Sequence, residues 1–238
     1  MKFKLSPFEK KDLVIAWLAL AVAFTLGVSG VRYVFMGGLS TLSLDSLIIT
    51  LVISLVVVGL SFVPHELAHK FAAIKFGYWA EFRKSNQMLV IAVAVAVITG
   101  FVFAAPGATL INTAGRQMTK RENGIISASG PLVNIILIIP FALIMILGII
   151  LGGADAILGS LSISAFSLST IFFNVGWFGC QINAMLAFFN MLPFGPLDGK
   201  KVLAWKPIVF VVMIVLSLIL LYYTMVPAAP INYLLSLI

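Results

Sequence analysis

The chain has 238 residues, 62% of them hydrophobic and only 10% charged, with a mean hydropathy of +1.17. That balance excludes an ordinary soluble domain, in which about 25% of residues are charged. The net charge of +7 comes without a basic patch interleaved with aromatics, which argues against nucleic acid and for charges that orient the chain in a lipid bilayer.

Residues 1–12 carry Lys2, Lys4, Lys10 and Lys11 ahead of an apolar run over 13–30. The run is long for a signal peptide and no small-residue cleavage pattern follows, so a first spanning helix with a cytoplasmic amino terminus is expected. After Gly37 and Gly38 a second run starts near Ser46 and continues to about Gly77. It contains His65-Glu66-Leu67-Ala68-His69, and with it both histidines of the chain. Lys70, Lys75, Arg83 and Lys84 follow and assign this end to the cytoplasmic side. Pro64, directly before His65, predicts a kink or a helix start there.

The apolar segment 88–103 is ambiguous between spanning, re-entering and lying at the interface. It approaches a crossing in length, at about 1.5 Å per residue. A single crossing, however, would leave Arg116, Lys120 and Arg121 outside, against the positive-inside rule. A re-entrant or interfacial segment buried against protein reconciles the two observations. The Val/Phe-rich piece 101–111, broken by Pro106-Gly107, is expected to form a strand or hairpin.

Residues 125–151 suffice for a tilted span, with an outer turn expected at 152–155. Serine-rich 160–170 leads into a helix over 171–192, a Pro/Gly break and a basic loop with Lys200, Lys201 and Lys206. A last span over 207–225 and an apolar tail complete the chain. The expected fold is an all-α polytopic membrane protein of five to six transmembrane helices, with a small β or re-entrant element midway. One membrane-embedded domain is expected over 1–238, with a core at 46–206, a first span and turn at 1–45, and a last span and tail at 207–238. The single cysteine, Cys180, excludes an internal disulfide and a Cys-based zinc cluster.

Residues i and i+4 share a helix face, so His65 and His69 can present two imidazoles to one zinc ion. Glu66, beside the first of them, is placed to take a proton from water on the metal. Such a site needs a third protein ligand, and the chain has eight acidic residues to choose from. Glu9, Asp12, Asp45 and Asp155 lie in segments expected to be distant from the motif's end of the membrane, while Glu81 and Glu122 read as surface charges. Asp198 sits in the proline-broken segment 190–199, on the same side as His69, and irregular backbone at membrane depth belongs where it lines a cavity. It is the expected third ligand, with a helix-end turn residue as the bland alternative.

Three blocks, in order, resemble the site-2 protease family of intramembrane zinc metalloproteases. His65 to His69 is similar to the family's HExxH. Gly130-Pro131-Leu132-Val133-Asn134 is similar to its glycine-containing helix between the two ligand helices. Asn190 to Gly199 is similar to its Asn-x-x-Pro-x-x-Pro-x-Asp-Gly signature. The resemblance implies one zinc ion with a bound water, held by His65, His69 and Asp198, and Glu66 as general base and acid. It also implies that Asn134 and Asn190 place substrate or stabilise an oxyanion. Both asparagines read as well as interhelical glue, like Asn174, Gln181 and Asn183. Ala68 stands where the family often has glycine. The chain looks like a minimal archaeal or bacterial core in a prokaryotic cell membrane, its site opening to the cytoplasm. Its implied partners are the lipid bilayer and a transmembrane protein substrate, whose unwound segment a strand edge near 101–111 would capture. A metal-ion transporter or non-proteolytic metal-binding membrane protein is the alternative, but a transporter would repeat its ligands across the membrane.

Overall fold

The computed structural model describes residues 3–29, 43–100, 102, 106–161 and 167–225. Among them lie α1 (Pro7–Val28), α2 (Leu44–Lys75), β1 (Trp79–Lys84), α3 (Asn86–Thr99), β2 (Gly107–Asn112), α4 (Lys120–Leu161), α5 (Leu168–Asn190), α6 (Asp198–Trp205) and α7 (Pro207–Met225). Five helices, α1, α2, α4, α5 and α7, are long and apolar enough to cross a membrane. The chain is thus an all-α multi-pass membrane protein with one small sheet. It forms two compact units, Met1–Arg116 and Gln117–Ile238.

In the first unit, α1 starts at Pro7, ahead of the apolar run. Pro7 suits a first helical turn, and the Ser6 hydroxyl accepts from the Glu9 N–H at 3.1 Å. Helix α2 begins at Leu44 and runs unbroken through Pro64, so the proline marks no helix start. It ends before Gly77, whose φ of +82° suits glycine. The two helices meet where Gly59 leaves room for the Trp17 indole, whose Nε1–H donates to the Leu55 carbonyl at 2.8 Å.

The expected strand is present as β2. Its antiparallel partner β1, whose charges hide its strand character, was not expected; the register runs from Trp79 opposite Asn112 to Lys84 opposite Gly107. Residues 101 and 103–105 lie outside the described residues. Pairing of Lys84 with Gly107, with the Ser85 N–H on the Pro106 carbonyl at 2.8 Å, closes the excursion through α3 at its base. Fourteen helical residues reach about 21 Å, short of a bilayer core of about 30 Å. Because the strands before and after α3 pair with each other, the segment between them makes no single crossing, which leaves the re-entrant and interfacial readings.

In the second unit, α4 opens with a capping box. The Thr119 hydroxyl accepts from the Glu122 N–H at 3.2 Å and the Glu122 carboxylate from the Thr119 N–H at 2.8 Å, so this half-buried acid serves the helix start. Within the outer turn expected at 152–155 the helical path breaks at Gly153 (φ +55°), and helical residues resume beyond it. Ala156 and Ile157 beyond it pack fully buried against Phe173 of α5. Small residues bring α4 and α5 together: a Cβ on Gly148 would stand 2.7 Å from the Ser169 carbonyl oxygen, and one on Gly176 2.6 Å from the Met145 Cα. Helix α5 starts at Leu168, its Ser167 cap accepting from the Thr170 N–H at 3.1 Å. Met191, Val202, Ala128 and Met213 form a core that joins the end of α5 to α4, α6 and α7.

Candidate metal centre

The first unit carries His65, Glu66 and His69, all buried in α2, with the two histidines one turn apart. The Nε2 atoms of the two histidines converge to 3.1 Å, with ring planes 81° apart. Two nitrogens each about 2.0–2.1 Å from one tetrahedral ion lie roughly 3.3 Å apart, so the pair fits zinc with almost no adjustment. Glu66 is turned toward the sheet, where the Thr109 hydroxyl donates to its Oε2 at 3.0 Å. Thr109 was not singled out in the sequence. It is one of many threonines, and only the β2 register brings it to the motif.

Behind the motif, Lys70 is a cation with a side chain 4% exposed, directly after His69. Its ammonium donates to the Glu9 carboxylate and, at 2.8 Å, to the Lys4 carbonyl. Glu9 has no exposed surface, and its Oε1 accepts the Phe82 N–H at 3.1 Å. Glu9 was expected far from the motif; it pairs instead with the residue after His69, because a buried ammonium requires a counter-charge and the first turn of α1 supplies it. Asp12 follows it to this end, 3.7 Å from Arg83. Glu81 is likewise no surface charge. It is 5% exposed, accepts from the Ser6 hydroxyl, and pairs with Arg83 at 2.7 Å. These contacts pair Lys70 and Arg83 with carboxylates, which lowers the repulsion either would exert on a dication at the motif.

The second unit carries Asp198, Asn190 and Asn134. Asp198 is the first residue of α6 and largely buried, with the Lys201 ammonium 3.4 Å from its Oδ1. A Cβ on Gly199 would collide with the Met191 and Leu192 carbonyls, so glycine after the aspartate lets α6 start hard against the end of α5. The carboxylate is thereby held by backbone packing, although 191–197 carries no regular helix. Asn190 is half-buried and donates to the Leu186 carbonyl of its own helix at 2.9 Å. Asn134 has no exposed surface and donates to Asn183 Oδ1 at 2.7 Å, while Asn183 donates to the Gly179 carbonyl at 2.8 Å. This bond joins α4 to α5 and is the interhelical pairing that the sequence left open.

Residues 53–206 match the family model described as Peptidase family M50. The chain is 33% identical over 211 residues to "Putative zinc metalloprotease MJ0611" of Methanocaldococcus jannaschii, covering 89% of this chain and 91% of that protein. It is 30% identical over 166 residues to "Putative zinc metalloprotease YwhC" of Bacillus subtilis, covering 66% and 69%. No solved structure matches.

Proposed function

The chain belongs to peptidase family M50, and from that premise we propose a zinc metalloendopeptidase that hydrolyses peptide bonds within or near transmembrane segments of membrane proteins. The observation that carries the proposal is the convergent Nε2 pair of His65 and His69 with buried Glu66 between them, on a helix apolar enough to span. His65, His69 and Asp198 each offer one ligand atom, a donor set of two imidazoles and a carboxylate that suits zinc. When bound, zinc polarises the scissile carbonyl and acidifies water. Glu66 accepts the proton of the attacking water and returns one to the leaving amine. Asn190, half-buried at the end of α5, places the substrate carbonyl. Asn134, fully buried in its bond to Asn183, acts on that carbonyl only through helix packing. The unwound substrate segment adds to the side of β2 turned away from β1, beside Glu66.

Charge supports the sidedness. Of fifteen basic residues, only Arg32 falls in the stretches of sequence between α1 and α2 or between α4 and α5. All the others lie near the starts of α1, α4 and α7, near the end of α2, or in the segments between. With no single crossing between β1 and β2, five crossings and the positive-inside tendency support a reading in which these ends, the amino terminus and the site face the cytoplasm of a prokaryotic cell.

Bound zinc in wild type and Asp198→Asn, with cleavage of a co-expressed single-span substrate by wild type and Glu66→Gln, tests the proposal. Wild type should bind one zinc and cleave, Glu66→Gln should retain zinc and lose cleavage by at least about 10³-fold, and Asp198→Asn should lose metal. Cleavage by Glu66→Gln at the wild-type rate would remove the general base, and metal binding without cleavage by wild type would point to transport or sensing.

A further inference from the structure

Phe62, Glu66 and Lys70 stand four residues apart on α2 and so form one stripe along the helix. Each meets a different partner in the first unit. Phe62 packs edge-on against Phe82 of β1, ring centres 5.6 Å apart. Glu66 takes the Thr109 hydroxyl of β2, and Lys70 takes Glu9 of α1. The three partners are themselves joined, since Phe82 is directly opposite Thr109 in the sheet and its N–H is bound by Glu9. The sheet is therefore pinned to the motif helix at three consecutive turns.

We propose that Thr109 is a positioning residue for the reaction: its hydroxyl fixes the carboxylate of Glu66 in the working orientation, and the Phe62–Phe82 and Lys70–Glu9 contacts hold the strand register that delivers it. The inference rests on the reading of Glu66 as general base. A glutamate side chain has three rotatable torsions, and a base that must meet both an attacking water and a leaving amine loses rate when it wanders. Threonine is suited to hold it, because its β-branched side chain is stiff at χ1 and its hydroxyl is a donor of short reach. Register is what makes the contact specific. A one-residue slip of β2 would turn Thr109 to the opposite face of the sheet and bring an alanine or leucine in its place.

The test compares Thr109→Ser, Thr109→Ala and Thr109→Val in the full-length protein. Turnover of a tagged single-span substrate is normalised to bound zinc, alongside the affinity of a hydroxamate that chelates the metal and contacts the base. Thr109→Ala and Thr109→Val should keep their zinc and KM, lose about tenfold or more in kcat, and bind the hydroxamate about tenfold more weakly. Thr109→Ser, with the hydroxyl restored, should recover most of both. Because Ser and Ala differ by one oxygen, their ratio per bound zinc isolates the hydroxyl from any loss of folded protein. Equal activity and equal hydroxamate affinity for the Ser and Ala variants would overturn the proposal. Full cleavage by Glu66→Gln would overturn the general-base reading instead, so the two failures are told apart.

Discussion

Charged side chains tie α1, α2 and β1 together in residues 1–116, whereas close-packed glycines and an asparagine pair tie α4 to α5 in 117–238. In the first unit Glu9, Lys70, Glu81 and Arg83 bind α1, α2 and β1 to one another around the histidine motif. In the second, Gly148 and Gly176 let α4 and α5 approach backbone to backbone, with the Asn134–Asn183 bond as a polar contact between them. The difference follows from what each joint connects. A sheet packed against a helix presents backbone N–H groups and basic residues that need acceptors, and Glu9 answers both at once. Between two long apolar helices, lipid competes equally well for apolar side chains, so close approach and dispersion must supply the attraction.

The largest expected effect comes from breaking the charged joint on one side only. Glu9→Ala leaves Lys70 buried without its counter-charge and should cost about 3–5 kcal/mol of unfolding free energy in detergent micelles. The double variant Glu9→Met with Lys70→Met should lose clearly less than Glu9→Ala alone. If the single variant unfolds like wild type, the pair does not hold the unit together.

A smaller loss is expected from the glycine joint. Gly148→Ala sets a methyl against the backbone of Ser169 and Phe173, which cannot move aside, and should cost about 1–3 kcal/mol. Gly152→Ala meets the hydroxyl and Cβ of Ser169 rather than backbone, and should cost less. Melting temperatures that rank the two the other way would show that backbone contact does not govern this interface.

The asparagine pair is the mildest case. A double-mutant cycle of Asn134→Leu and Asn183→Leu should give a coupling of about 0.6 kcal/mol, with bound zinc unchanged in all three variants. Loss of zinc in Asn134→Leu would move Asn134 from helix packing into the metal centre.

Helix existence was legible because runs of apolar residues between Lys and Gly signals are local features. The ends were less so. Helix α1 starts in the polar segment before its apolar run because Ser6 and Pro7 cap it, and α4 passes Gly152 because only Gly153 leaves helical geometry. Strand β1 escaped notice because Glu81, Arg83 and Lys84 look like a solvated loop until Ser6 is seen to pair with Glu81, and Asp12 and Glu81 with Arg83.

The sequence by itself determined the membrane class, the family blocks and the stripe that places His65 beside His69, since each depends on composition or on spacing within a few residues. Only the tertiary structure decided that the strands before and after α3 pair with each other, that Glu9 faces Lys70 across 61 residues, and that Thr109 reaches Glu66 across 43. Such partners are selected by strand register and by the need to compensate buried charge, and neither is a property of any short stretch of chain.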